Sequence, residues 1–210
     1  MATANKKNEV IEIPAMNLKM LTLSIKGTSP LIVHAWSHKA KQMMLDKQMK
    51  KATKGKDARD PFEEYLDAFY WGTERPEGLT PENFDELTKD TKFGFPALAF
   101  KAAAIDGAYQ QGVISKKTTA RGAFRVIGDM AVIEGKPHMR SDMVRIGMGV
   151  ADQRFRPEFT EWSTTLTIQY NATAISASQL VNLFNVGGFS VGVGEHRPAK
   201  DGDNGTFTVC

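Results

Sequence analysis

Apolar and polar residues alternate most clearly in two stretches of the chain, residues 21–26 and residues 164–170. In both stretches every second residue is apolar: Leu21, Leu23 and Ile25 in the first, and Leu166, Ile168 and Tyr170 in the second. A period of two is typical of a strand that buries one face. Weaker signals predict further strands at 93–96, 131–134, 143–148 and 206–209.

Helical spacing and capping signals predict helices between these strands. The predicted helices run from Ser37 to about Thr53, from Asp60-Pro61 onward, from Pro96 to Tyr109, over 118–127, and from Ser176 to Gly187-Gly188. Asp60 is a favourable N-cap and Pro61 suits the first helical position. Ser176 and Gln179 form a capping box, and the Gly187-Gly188 pair is predicted to stop that helix.

The order of these elements favours an α+β fold in which an antiparallel sheet carries helices on one face. The strands alternate in polarity and helices are interspersed among them, which suits a doubly wound parallel sheet less well. The length of 210 residues fits one domain, residues 16–210. The polar start, residues 1–15, predicts a flexible arm.

Composition narrows the class of protein. Apolar residues make up 41% of the chain and charged residues 24%, with a formal net charge of +3, so an anion-binding role would need local clustering of cations. Cys210 is the single cysteine, which excludes an internal disulfide and a cysteine-based zinc site. No secretory signal and no membrane-spanning run is recognisable, so we expect a cytoplasmic protein with no membrane partner.

Motifs for catalysis are scarce. His34 and His38 are four residues apart, but no third ligand lies near them in the sequence. Acidic residues are scattered, and neither a phosphate-binding lysine loop nor a nucleophile elbow is present. The sequence therefore predicts no catalytic residue, no metal and no cofactor.

The glycine-rich stretch from Gly187 to Gly205 is the strongest local signal. Glycine accepts positive φ values and lets another backbone approach closely. Gly192 and Gly194, next to Arg197, could therefore present bare amides to a phosphate. The alternative is a tight turn between a helix and an edge strand, and the sequence favours neither.

Basic residues form two sets. Lysines crowd the first predicted helix and the segment after it, including Lys50, Lys51 and Lys54, where a solvated helix face is the simpler interpretation. The second set includes Lys101, Arg121, Arg125, Arg145, Arg154 and Arg156. Part of it is interleaved with Phe155, Phe159 and Trp162, which are either platforms for bases or members of the core.

Three segments, in order, resemble the RAMP superfamily. The glycine-rich stretch up to Arg197 and Gly205-Thr206-Phe207 resembles its glycine-rich loop. The segment 93–103 resembles its extended Ile-Pro-Gly-Ser-Ser-Leu-Lys-Gly helix start, although Ala97 and Leu98 stand where Gly and Ser are usual. The segment Thr28-Ser29-Pro30-Leu31 resembles its first turn. Members of this superfamily are RNA-binding subunits of CRISPR effector complexes with a ferredoxin-like or RRM-like fold.

The resemblance implies a ferredoxin-like domain with a helical, lysine-rich insertion at about 37–92. It also implies binding of a sugar-phosphate backbone by Lys101, Arg121, Arg125 and Arg145, and a multi-subunit assembly with copies of the same chain. The strings 154–159 and 194–198 look like a group of phage and prophage proteins.

The function predicted from the sequence is non-catalytic binding of single-stranded nucleic acid, RNA or DNA, in phage nucleic-acid metabolism or a CRISPR-like ribonucleoprotein. Two alternatives stay open. One is a phage structural or interaction protein, or an inhibitor of a host system. The other is an endoribonuclease of the RAMP type that uses His34, His38 or His196 as general base.

Overall fold

The structure is a computed structural model that describes residues 15–51, 58–146 and 149–210. Its strands are β1 Leu18–Gly27, β2 Leu31–Ile32, β3 Tyr70–Trp71, β4 Phe93–Pro96, β5 Phe124–Ile127, β6 Met130–Glu134, β7 Pro137–Ile146, β8 Val150–Phe159, β9 Ser163–Asn171 and β10 Phe207–Val209. Its helices are α1 His38–Gln48, α2 Pro61–Asp67, α3 Phe84–Leu87, α4 Ala97–Gln110, α5 Lys117–Ala123 and α6 Ala177–Ser190. Residues 1–14 of the predicted arm lie outside these ranges, and Lys54 also lies outside them.

The described strands form a seven-stranded sheet and a three-stranded sheet, and all pairs are antiparallel. In the larger sheet the order is β10-β1-β9-β6-β4-β3, and β5 lies beside β9. Four strands of this sheet and the two long helices follow a strand-helix-strand-strand-helix-strand order along the chain: β1, α4, β5, β9, α6 and β10. In space these four strands lie in the order β10-β1-β9-β5. This is the ferredoxin-like arrangement, and it confirms the predicted α+β fold.

The central pair of strands separates a buried face of the sheet from an exposed one. In the register of β1 with β9, Leu23 lies opposite Leu166 and both are buried, whereas Thr22 lies opposite Thr167 and both are exposed. The alternation follows from the two-residue period of a strand. Helices α4 and α6 cover the buried face, while the other face has no helix on it in the described part of the chain.

Helices α4 and α6 touch through glycines. A Cβ atom at Gly187 would lie 2.5 Å from Ala104 Cα, and one at Gly107 would lie 2.8 Å from Gly187 Cα. The prediction that Gly187-Gly188 stops α6 was therefore wrong, because the helix continues to Ser190. The two glycines lie inside α6 at the positions where a neighbouring backbone comes too close for a side chain.

Two more boundaries differ from the prediction. The segment predicted as a helix over 118–127 is α5 followed by β5, because Phe124 and Val126 are buried and alternate with the exposed Arg125 and Ile127. Of the strand predicted at 143–148, residues 143–146 belong to the longer β7, which pairs along its length with β8, and residues 147–148 lie outside the described residues. Strand β8 was missed, since its charged residues have partners that are distant in sequence: Asp152 pairs with Arg59, and Arg156 lies near Asp142 and His196.

The region 37–92 contains two capped helices. The Ser37 side chain accepts a hydrogen bond from Ala40 N at 3.0 Å, and Asp60 accepts one from Phe62 N at 2.9 Å. Aromatic residues from α2 onward join the core, among them Tyr65 and Phe69 with ring centroids 4.9 Å apart. Helix α1, in contrast, buries no side chain. No helix among the described residues is both long and apolar enough to span a membrane.

We expect Gly187→Ala to lower the free energy of unfolding by roughly 1–3 kcal/mol, because the added methyl group must push α4 and α6 apart. The matched control is Gly122→Ala in α5, where nothing lies within 4 Å of the new Cβ. That change should stabilise the chain by about 0.5 kcal/mol. Denaturant unfolding measures both, and equal effects of the two substitutions would contradict the close helix contact.

Candidate nucleic-acid interface

The glycine-rich turn, residues 191–197, is tied to the rest of the fold by its own amides. Gly192 N donates to Gly187 O at 3.0 Å, Val193 N to Gly205 O at 2.9 Å, and Glu195 N to Ile32 O at 2.9 Å. Gly192 and Gly194 have φ values of +66° and +80°, so the turn does need glycine. The three bonded amides are not available to a phosphate, which favours the packing turn over the phosphate cradle.

A polar cleft of about 330 Å³ lies between this turn and α4. His34, Tyr70, Asp106, Glu195 and Arg197 are its polar lining residues. Arg197 Nη1 donates to Gly194 O at 2.9 Å, and Asp106 pairs with Lys117 at 2.9 Å. The two carboxylates disfavour a phosphate backbone that runs along the cleft, and Arg197 is the one cation among its lining residues that a single phosphate could contact.

His34 has an unusual environment in this cleft. Its Nδ1 lies 3.9 Å from a Glu195 carboxylate oxygen, and Tyr70 Oη donates to the His34 carbonyl at 3.4 Å. Burial and the nearby positive charge of Arg156 lower the pKa of His34 below its usual value of 6.5, although Glu195 acts in the opposite direction. His34 is consequently neutral at pH 7.

Arg156, a residue of β8, connects the β7–β8 hairpin to the glycine-rich turn. Its side chain is only 4% exposed, and its Nη1 lies 3.5 Å from Asp142 and donates to His196 Nε2 at 3.2 Å. Burial lowers the pKa of this guanidinium, and its Nε has no hydrogen-bond partner. Arg154 lies beside it, with Nε 3.4 Å from Asp152. A nucleic acid cannot reach Arg156, and the aromatic residues Phe159 and Trp162 belong to the core.

Lys101, Arg121 and Arg125 form what we term the edge cluster, because they surround the free edge of β5. Lys101 Nζ donates to Arg121 O at 3.0 Å and to Phe124 O at 2.6 Å, and it lies 5.1 Å from the centre of the Phe124 ring. Burial, then Arg125 and Arg121, lower the pKa of Lys101. The Lys101 amine thus satisfies backbone carbonyls, while both arginine side chains are exposed.

The remaining predicted residues lie elsewhere. Lys50 and Lys51 follow α1, where Lys51 pairs with Asp46 at 2.9 Å. Arg145 is exposed near the end of β7, opposite Ala151. The predicted residues therefore do not line one groove. On α4, which turns by 3.6 residues, Lys101 projects almost opposite to Ala99, Ala102 and Asp106, which line the cleft.

The sequence did not reveal the uncovered face of the larger sheet as a candidate site. We call it the open face: the outward residues of β1, β5 and β9, namely Leu18, Met20, Thr22, Ser24, Lys26, Arg125, Ile127, Ser163, Thr165, Thr167, Gln169 and Asn171. Arg125, Gln169 and Met20 form one row across the three strands. This set contains no carboxylate and no aromatic ring, and the neighbouring strand β6 adds one carboxylate to the same side of the sheet, Glu134 opposite Ser163. The alternation in the sequence already placed the β1 and β9 residues of this set on one face. The β5 residues were missed because their segment was predicted as a helix.

A metal site finds no support in the described residues, where no group of three His, Cys, Asp or Glu side chains is placed to hold an ion.

The fold and its surfaces define an α+β chain with a ferredoxin-like sheet, one open sheet face and a basic cluster at the sheet edge. Among solved structures, the chain is similar to Cmr6 from Pyrococcus furiosus, with a TM-score of 0.37 and 12% sequence identity over 93% of this chain and 100% of that one. A similarity of this size establishes neither a family nor an activity. No protein-family model matches the sequence, and no curated protein does so either.

We expect Lys101→Met to cost about 1 kcal/mol of unfolding free energy, because two backbone carbonyls lose a charged donor. Lys116→Met is the matched control, since Lys116 is exposed and its side chain caps nothing. Its effect should stay within about 0.5 kcal/mol. Denaturant midpoints compare the two, and an unchanged midpoint for Lys101→Met would show that the amine does not support the β5 edge.

Proposed function

We propose that this chain is a non-catalytic protein that binds single-stranded nucleic acid, RNA or DNA, across its open face. The single observation that carries the proposal is the charge of that face. The chain has 24 acidic residues, yet none lies among the outward residues of β1, β5 and β9, while Lys26 and Arg125 do. The one carboxylate that borders these strands on the same side is Glu134 of β6, opposite Ser163.

A surface with a single bordering carboxylate can receive a phosphate backbone with little like-charge repulsion. Lys26 and Arg125 lie at opposite ends of the open face, about 20 Å apart along the strands. Between them are the hydroxyl groups of Thr22, Ser24, Thr165 and Thr167, which can donate to phosphate and sugar oxygens. Because no aromatic ring lies on this face, we expect the sugar-phosphate backbone, rather than stacked bases, to supply most of the affinity.

The edge cluster extends the positive surface round β5. Arg125 belongs both to the open face and to this cluster, and Arg121 follows on α5. Neither arginine side chain has an ion-pair partner in the described part of the chain, so both guanidinium groups keep their donors free. A strand that leaves the open face at Arg125 would meet Arg121 next.

The proposal includes a multi-subunit assembly, for which a surface is argued below. On the basis of the sequence resemblance alone, it also includes a setting in phage nucleic-acid metabolism or a CRISPR-like ribonucleoprotein.

We expect Arg121→Ala/Arg125→Ala to weaken binding of all single-stranded sequences about equally, because the contacts are to phosphates. Fluorescence anisotropy with a labelled oligonucleotide, as RNA and as DNA of one sequence, measures the affinity across a salt series. The slope of log affinity against log salt should fall by about 0.7 for each phosphate contact removed.

Lys89→Ala/Lys92→Ala is the control, since both lysines are exposed and lie away from the open face. It should change affinity little. Wild-type chain that retains no single strand at low salt would end the proposal and favour the interaction-protein alternative. Double-variant binding equal to wild type would end the assignment of the strand to the open face.

A second candidate function is RNA cleavage without a metal, favoured by the state of His34. A neutral imidazole is the form that accepts a proton from a ribose hydroxyl, and Tyr70 and Arg197 line the same cleft.

If the chain cleaves labelled RNA in the presence of a chelator, His34→Ala should abolish cleavage, and His38→Ala, an exposed residue of α1, should not. Because burial lowers the pKa of His34 below that of an ordinary histidine, its base form persists to lower pH. The rate should therefore decline at a lower pH than the titration of an unperturbed histidine would give. Wild-type chain that leaves RNA intact from pH 5 to pH 8, the range in which histidines titrate, removes this candidate.

A further inference from the structure

A groove of about 730 Å³ lies between α1 and α2, and we term it the α1–α2 groove. Trp36, Met43 and Met44 line the wall formed by α1, while Glu63 and Asp67 belong to the wall formed by α2. Phe155 and Asp152 of the β7–β8 hairpin also line it. The groove thus combines an apolar wall with an acidic one.

The apolar wall is exposed to an unusual degree. Trp36 is 60% exposed, Met43 57% and Met44 45%, and α1 buries none of its side chains. An isolated helix of 11 residues is marginal in water, because most helical stability in proteins comes from packing an apolar side against something else. Helix α1 lacks such packing within the described chain.

The charges of the groove specify the kind of partner. Residues 37–51 carry five lysines and the single carboxylate of Asp46, whereas Asp60, Glu63, Glu64 and Asp67 lie together in the opposite wall. Arg75 is shared between Glu63 and Asp67, at 2.9 and 3.6 Å, and Arg59 pairs with Glu64 at 2.6 Å and with Asp152 at 2.7 Å. The four carboxylates of the α2 wall outnumber these two arginines, so the wall holds an excess of negative charge. Burial, with Glu63 and Glu64, raises the pKa of Asp67, although Arg75 and Lys39 lower it.

A segment that fits this groove must be apolar on one side and basic on the other, and α1 itself is such a segment. A nucleic acid does not fit, because the acidic wall repels phosphate.

We propose that the α1–α2 groove receives α1 of a second copy of this chain, in a two-fold symmetric dimer. The methionines and Trp36 of the two copies then pack against each other near the axis, as an isologous interface requires. Lys47 is one helical turn from Met43 and Met44 and so follows the same side of α1. It would approach Glu63 of the other copy, and the reciprocal pair forms by symmetry.

The dimer does not depend on nucleic-acid binding. The groove lies on α1, α2 and the hairpin, whereas the open face lies on β1, β5 and β9. Nuclease-treated protein therefore tests the dimer alone, and failure of one proposal leaves the other intact.

The test is sedimentation velocity of the nuclease-treated full chain over a concentration series, with Met43→Glu as the variant. We expect the wild type to shift from monomer to dimer mass as concentration rises. Met43→Glu should weaken the dimer at least about tenfold, because it puts a carboxylate at the axis and against the acidic α2 wall. Leu98→Glu, a substitution of an exposed leucine on α4, is the matched control and should dimerise as wild type.

A second measurement covers the case in which Met43→Glu perturbs α1 itself. In a Cys210→Ser background, Met43→Cys should be joined to its own counterpart by a bifunctional thiol reagent, and Leu98→Cys should not. A chain that stays monomeric at all concentrations overturns the proposal and leaves the groove to a different basic, apolar segment. A dimer that forms equally well with Met43→Glu, and in which Met43→Cys does not cross-link, overturns it too.

Discussion

The contact between α4 and α6 at Gly107 and Gly187 is the constraint on which the rest of the fold depends. Without side chains at this point the two helices approach closely enough to share one face of the sheet. The end of α6 then delivers the glycine-rich turn to Ile32, where Glu195 N forms its hydrogen bond. From that turn His196 reaches Arg156, which holds the β7–β8 hairpin. One close helix contact thus fixes the position of both sheets.

The same constraint decides which surface stays free. Because both long helices are used on one side of the sheet, and the hairpin packs against the turn, the outward side of β1, β5 and β9 has no covering element among the described residues. Its threonines are suited to a solvated strand surface, since β-branched residues fit a pleated sheet and their hydroxyls need no buried partner. The free sheet face is therefore a consequence of the helix packing, and its shortage of carboxylates is local, because the overall charge is only +3.

The sequence predicted those elements whose signals lie within a few neighbouring residues, and it failed where the determining contacts are distant in sequence. Alternation predicted β1 and β9, and side-chain caps predicted the starts of α2 and α6, because each signal lies within a few adjacent residues. The end of α6 could not be predicted from the sequence. A Gly-Gly pair is typical of a helix end, and the reason for Gly187 and Gly188 inside α6 is that α4 and β10 lie against them. For the same reason Arg156 looked like a free cation. Its carboxylate and imidazole partners are 14 and 40 residues away in the sequence.

Charge in this chain is separated by surface, although the total is nearly balanced. Cations without carboxylate partners gather at the edge of β5, where Lys101 already uses its amine to hold the backbone and leaves Arg121 and Arg125 to the solvent. Carboxylates gather on α2, beside a helix that carries lysines and exposed methionines. A polyanion and a second copy of the chain would therefore be drawn to different sides of the molecule. Binding at the open face would leave the groove free, so a strand could collect dimers without competing with the contact that forms them.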